Sequence, residues 1–207
     1  MKYQLVIFDF DGTLADSFPW FLSIYNDLAE RFHLPPMGRS ELEALRSLDL
    51  NLVLKERKIS PFMVLTMSAY LKQLMSSQID KVPLVEGIQT VLDRLADLKV
   101  KLAVVSSNEE QNVRRVLGEQ NASRFLDFEC GVALLGKTAK FLNILRKMGV
   151  KPNQALSIGD ELRDLKSSRQ AGITFGAAAW GYTDRQRLAE HGPDLLFDHP
   201  LQILEAL

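Results

Sequence analysis

The chain has 207 residues, enough to bury a sizeable core as one domain or as a domain carrying a large insertion. Its 25 basic and 26 acidic residues leave a formal net charge of −1, which gives no reason to expect nucleic acid or an anionic membrane as a partner. A single cysteine, Cys130, excludes an internal disulfide and suits a reducing cytoplasm; Asp9 interrupts the first apolar run too early for a signal peptide, and no segment is long enough to span a bilayer.

The first element is Leu5-Val6-Ile7-Phe8, a short apolar run of the kind that forms a strand buried on both faces. It leads into Asp9-Phe10-Asp11-Gly12-Thr13-Leu14, where a strand that is just ending can aim two acids into one crevice. Gly12 lets the backbone turn sharply there. Taken alone, such a stretch is also an ordinary surface turn.

Residues 18–80 change character. Phe18, Phe21, Leu22, Tyr25, Leu28, Ala29 and Phe32 recur at three- and four-residue steps, which predicts an amphipathic helix ended by Pro35-Pro36 and Gly38. Leu42, Leu45 and Leu48 predict a second short helix, and Leu50 to Glu56 a third. Ser60-Pro61 reads as an N-cap followed by a first-turn proline, opening a long helix to about Gln78. No strand is expected in this stretch.

From Lys81 onward strands and helices alternate. Helices are expected over Glu86 to Leu98, Glu109 to Glu119, Lys137 to Met148 and Glu161 to Ala171. Strands are expected at Leu102 to Val105, Phe125 to Gly131, Ala155 to Ile158, Ile173 to Ala178 and Leu195 to Phe197. The alternation predicts an α/β fold, a parallel sheet with helices on both faces. Residues 1–16 and 82–207 would form this core, and 17–81 a small helical bundle inserted behind the acidic turn, with hinges near Ser17 and Lys81.

In open parallel sheets ligands bind outside the carboxyl ends of the strands. There this chain carries Asp9 and Asp11 on the first strand, Ser106 on the next, and Asp160 on a later one, with Asp164 one helical turn on. Lys137 stands at a helix start, where a cation opposes the macrodipole and needs a reason. Carboxylates that converge in one crevice repel unless a cation intervenes, and oxygen-only donors favour Mg²⁺. A lysine, a serine hydroxyl and free backbone N–H groups after Gly12 would suit a phosphate dianion. One Asp carboxylate can then attack phosphorus while a second acid protonates the leaving oxygen.

Asp9-Phe10-Asp11-Gly12-Thr13-Leu14, Val104-Val105-Ser106-Ser107-Asn108, Lys137 and Gly159-Asp160-Glu161-Leu162-Arg163-Asp164 resemble the four ordered motifs of the haloacid-dehalogenase-like hydrolases. The resemblance covers essentially the whole chain and is greatest to phosphoglycolate-phosphatase-like members. Trp180-Gly181-Tyr182 and Pro193 to Asp198 are similar to that group's tail. It implies a Rossmann-like core with a helical cap, and a Mg²⁺-dependent phosphatase acting on a small phosphorylated metabolite through an aspartyl-phosphate. Asp9 would be the nucleophile and Asp11 the general acid and base. Asp9, the Asp11 main-chain carbonyl and Asp160 would hold Mg²⁺, with Asp164 ligating or orienting. Ser106 and Lys137 would bind the phosphoryl group, with Ser107, Asn108 and Gly12 beside them. Lys140 rivals Lys137, because the lysine motif here, Gly136-Lys137-Thr138-Ala139-Lys140, lacks the prolines often found after it.

Other residues carry plainer expectations. Thr13 and Asp16 would support the loop by hydrogen bonds, and Glu161 is left open as a first-turn acid. His33, His191 and His199 fit surface loops, Cys130 a small buried group, and Phe18, Trp20, Phe21 and Tyr25 the core of the insertion. Arg46 is either a surface arginine or the reader of a second anionic group on the substrate. A phosphomutase of the β-phosphoglucomutase type shares every motif; a 2-haloacid dehalogenase needs no second acid; a phospho-signalling receiver domain is shorter and lacks the insertion. Either a monomer or a homodimer is compatible with the sequence.

Overall fold

Val6 and Phe8 point to one side of their strand, Leu5 and Ile7 to the other, and none of the four is exposed. In the computed structural model, which describes residues 2–48, 53–55, 57–131 and 136–207, this strand, β1 (Leu5–Phe8), lies inside the sheet. It pairs in parallel with β2 (Lys101–Val105) on one side and β4 (Ala155–Gly159) on the other. With β3 (Phe125–Glu129), β5 (Thr174–Ala178) and β6 (Leu195–Phe197) the order is β3-β2-β1-β4-β5-β6, all parallel. The strand order reverses at β1, which opens a crevice at the carboxyl ends of β1 and β4.

Helices cover both faces. Val6 and Phe8 join a cluster with Ile88, Val91, Leu92 and Leu95, whose three- and four-residue spacing forms the inner stripe of α4 (Ile88–Asp97). Leu5 and Ile7 pack instead with Phe141, Ile144 and Leu145 of α6 (Lys137–Met148). Each side chain of this size taken fully out of water contributes about 1.5–3 kcal/mol. Gly149 ends α6 at φ +64°, a left-handed conformation that glycine adopts without strain. The remaining core helices are α5 (Glu110–Ala122), α7 (Leu162–Ala171) and α8 (Arg185–Glu190). α5 runs past the expected Glu119 and is interrupted by the non-helical Gly118.

Between β1 and α4 the described residues form helices and no strand: α1 (Phe18–Arg31), α2 (Arg39–Ala44) continued by a 3₁₀ turn Leu45–Ser47, and α3 (Pro61–Gln78) followed by a 3₁₀ turn Ile79–Lys81. Ser60 caps α3 as its sequence predicts, accepting from the Met63 N–H at 3.2 Å. The helix expected over Leu50 to Glu56 lies mostly outside the described residues, of which 53–55 are helical. The chain leaves and re-enters the sheet layer through one paired segment. Asp16 N–H donates to Pro83 O and Val85 N–H to Leu14 O, both at 2.9 Å, around an antiparallel bridge between Ala15 and Leu84. No helix among the described residues is long and apolar enough to cross a membrane.

Candidate active site

The β1 ladder runs one residue beyond the strand, with Asp9 N–H donating to Ile158 O at 2.8 Å. Side-chain alternation then sends Phe10 into the core, where it is fully buried, and leaves Asp9 and Asp11 facing the crevice. The following turn closes on itself. Thr13, Leu14 and Ala15 all donate their N–H groups to Phe10 O, and Gly12 donates to Ala15 O. The amides expected to be free for phosphate after Gly12 are therefore used inside the turn, and that expectation is corrected. Gly12 matters through its shape. At φ +73° a Cβ would lie 2.3 Å from an Asp160 carboxylate oxygen and 2.7 Å from the Tyr182 ring.

Asp160, at the end of β4, has no exposed surface. One of its oxygens accepts the Thr13 hydroxyl at 3.0 Å and the other the Tyr182 N–H at 2.7 Å. A Cβ on Gly181 would also press against this carboxylate. Asp164, in the first turn of α7, accepts the Glu161 N–H at 3.1 Å and so ties the helix start back to the end of β4. Asp9, Asp160 and Asp164 are all buried and offer oxygens within 4.8 Å of one another. Burial pushes the Asp9 carboxyl up, partly offset by the Lys137 ammonium. Asp160 is pushed well up by burial and then by the charges of Glu161, Asp9 and Asp164. Such repulsion is what a bound cation relieves, and an all-carboxylate donor set fits a hard ion such as Mg²⁺.

Asp11 stands beside this trio. Burial and then the Asp9 charge raise its pKa to about 6, against hydrogen bonds from Asn108 and Ser17. Asn108 Nδ2 reaches the two Asp11 oxygens at 3.3 and 3.1 Å. Ser106 is buried at the end of β2 and its Oγ accepts the Asn108 N–H at 3.0 Å, while Ser107 next to it is half-buried.

Lys137 supplies the reason for a cation at a helix start. Its buried ammonium lies 2.7 Å from Asp9 Oδ2 and 2.5 Å from Asp164 Oδ1. Burial works against that charge, but the two carboxylates prevail and raise the lysine pKa. Lys140 points elsewhere, donating to Glu129 at 2.8 Å. Arg46 donates to Ala179 O at 3.3 Å and lies over the Phe18 ring, 5.2 Å from its centre. Its neighbour Ser47 hydrogen-bonds Asp184, so this turn touches the loop after β5.

Three contributors were not singled out from sequence. Tyr182 holds Asp160 through its N–H, and its hydroxyl shares a hydrogen bond of 3.2 Å with Ser17. Asn112 joins Asn108 from α5. Arg163 pairs with Glu161 at 2.7 Å; burial lifts the Glu161 carboxyl to about 7 even so. Tyr182 and Arg163 left a trace in the sequence, within Trp180-Gly181-Tyr182 and Gly159-Asp160-Glu161-Leu162-Arg163-Asp164, whereas Asn112 left none.

An open parallel sheet with buried acids on β1 and β4, a lysine between them and a helical insertion after β1 defines one class of hydrolase. Residues 6–178 match the haloacid dehalogenase-like hydrolases, and the chain belongs to that family. It is 30% identical over 205 residues to the phosphoglycolate phosphatase of Synechococcus elongatus, covering 99% of this chain and 97% of the relative. It is 25% identical to the N-acetylmuramic acid 6-phosphate phosphatase of Pseudomonas aeruginosa, covering 100% and 96%. A solved haloacid dehalogenase-like hydrolase from Streptococcus pneumoniae shares the fold with a TM-score of 0.81 at 19% identity, covering 99% and 98%.

Proposed function

We propose that this protein is a Mg²⁺-dependent phosphatase, a phosphoric monoester hydrolase, acting on phosphoglycolate or a similarly small phosphomonoester through an aspartyl-phosphate. The observation that carries the reading is the division among the acids. Asp9 is paired with Lys137, whereas Asp11 sits beside it with a pKa near 6, suited to giving and taking a proton.

Asp9 Oδ attacks phosphorus, and the bond from phosphorus to the ester oxygen breaks as Asp11 gives that oxygen its proton. Asp11, now ionised, takes a proton from water as the water oxygen attacks the phosphoryl group. The bond between phosphorus and Asp9 Oδ breaks, inorganic phosphate leaves and Asp9 is a carboxylate again. Ser106 and Lys137 bind the phosphoryl oxygens, and Ser107 lies beside them. Asp9, the Asp11 main-chain carbonyl and Asp160 would hold Mg²⁺ with Asp164 in support; when bound it offsets charge on the transferring group.

Residues 17–81 act as a cap over the crevice, with the paired segment at Ala15 and Leu84 as its root. Support comes from Ser47 meeting Asp184 and from Met75 meeting Asn108, contacts that link the insertion to the core beside the acids. Arg46, lying over Phe18, reads the second anionic group of the substrate. The substrate class is supported by the Synechococcus relative, which aligns over nearly its whole length.

The test is a panel of small metabolite phosphates scored for phosphate release with Mg²⁺ and with chelator, together with acid-quench trapping of the phosphorylated protein. The reading expects Mg²⁺-dependent release and label on Asp9. Release without label on Asp9, or transfer of phosphate within a sugar phosphate and no release, would overturn it.

A further inference from the structure

Asn108 and Asn112 form a short amide relay that ends on Asp11. Asn112 is buried in the first turn of α5 and uses its Nδ2 group twice, toward Asn108 Oδ1 at 2.9 Å and Ser76 Oγ of α3 at 2.8 Å. Asn108 Oδ1 also accepts the Glu109 N–H at 2.8 Å. Two donors thus converge on that oxygen. The two ends of a carboxamide have nearly the same shape, so its partners decide which end faces which way. Here they turn the Asn108 NH₂ toward Asp11.

We propose that Asn112 is a positioning residue for the acid step, setting the Asn108 amide so that a donor, not an oxygen, meets the Asp11 carboxyl. The proposal rests on the reading of Asp11 as general acid. Reversal of the Asn108 amide would place two oxygens against each other at Asp11 and a donor against the Glu109 N–H. The carboxyl would then lose the Asn108 donor that meets both of its oxygens. Asp11 would swing away from the line to the leaving oxygen. Asn112→Asp keeps the shape of the side chain but puts an acceptor against Asn108 Oδ1, so it favours that reversal. Asn112→Ala only removes the donor.

The experiment compares two synthetic esters in the intact protein with Mg²⁺ in excess. p-Nitrophenyl phosphate releases a phenolate that needs no proton, whereas benzyl phosphate releases an alkoxide that does. Leaving-group release is followed in a single turnover, before the water step contributes. The benzyl-to-p-nitrophenyl ratio of rate constants is expected to fall about tenfold in Asn112→Asp, less in Asn112→Ala, and further in Asp11→Asn, since full acid catalysis is worth roughly 10²–10⁴-fold. Far-UV circular dichroism and a thermal melt check that each variant has folded before the rates are compared. Equal losses on both esters, or an unchanged ratio, in the Asn112 variants overturn the proposal while the Asp11→Asn ratio still falls. An unchanged ratio in Asp11→Asn overturns the acid reading of Asp11 itself, and the proposal with it.

Discussion

Lys137 Nζ lies 2.7 Å from Asp9 Oδ2, and both groups are almost completely buried. The same ammonium meets Asp164, so one cation holds together acids from β1 and α7. A buried charge deprived of its partner is costly, about 3–5 kcal/mol. Lys137→Met is expected to lower unfolding free energy by that order in denaturant titration and to abolish phosphate binding. Lys140 is 41% exposed in its pair with Glu129, so Lys140→Met is expected to cost no more than about 1 kcal/mol and to leave phosphate binding intact.

Asp9→Asn removes the attacking oxygen's charge while keeping the side chain's size. Turnover is expected to fall by at least about a thousandfold, as when a catalytic nucleophile is removed. Phosphate release from the best substrate of the panel measures it, and near-normal release would count against the aspartyl-phosphate.

Gly12→Ala tests the turn rather than the chemistry. A residue with a Cβ at φ +73° is strained by about 1–3 kcal/mol, and here the Cβ also collides with the Asp160 carboxylate. Thermal unfolding is expected to shift down, and Mg²⁺ affinity measured by calorimetry to weaken, because Asp160 must move to make room.

Glu129 governs a pH effect outside the site. Burial pushes its carboxyl up, but Lys140, Lys147 and Asn143 more than offset this and hold it at about 2, below the usual 4.5. A depressed carboxylate stabilises the fold fully above its unfolded value, and the contribution is lost as pH falls toward the folded value. Glu129→Gln is therefore expected to cost on the order of 1 kcal/mol near neutral pH. The difference from the parent should shrink from about pH 4.5 downward and vanish near pH 2. A melting-temperature series across that range checks it.

Where order along the chain decides the outcome, the sequence was legible. Apolar runs ending in Asp9, Ser106 and Asp160 imply parallel strands that deliver polar residues to one edge, because strands connected by helices end on the same side. The Ser60 cap and the Gly149 and Gly172 stops are local chemistry and lie where the sequence puts them. Lys137 was visible as an anomaly, a cation at a helix start, before its two carboxylates explained it.

Partnership between distant side chains was not legible. Nothing near Asn108 says that its amide turns to Asp11, or that Asn112 and Ser76 stand behind it. The amides after Gly12 looked available for phosphate until the turn brought Phe10 O and Ala15 O within reach. By itself the sequence determined the α/β alternation and which acids reach the crevice, since both follow from local periodicity. Only the tertiary structure decided which donor meets which carboxylate, because hydrogen bonds and ion pairs depend on ångström distances between elements that the chain order leaves open.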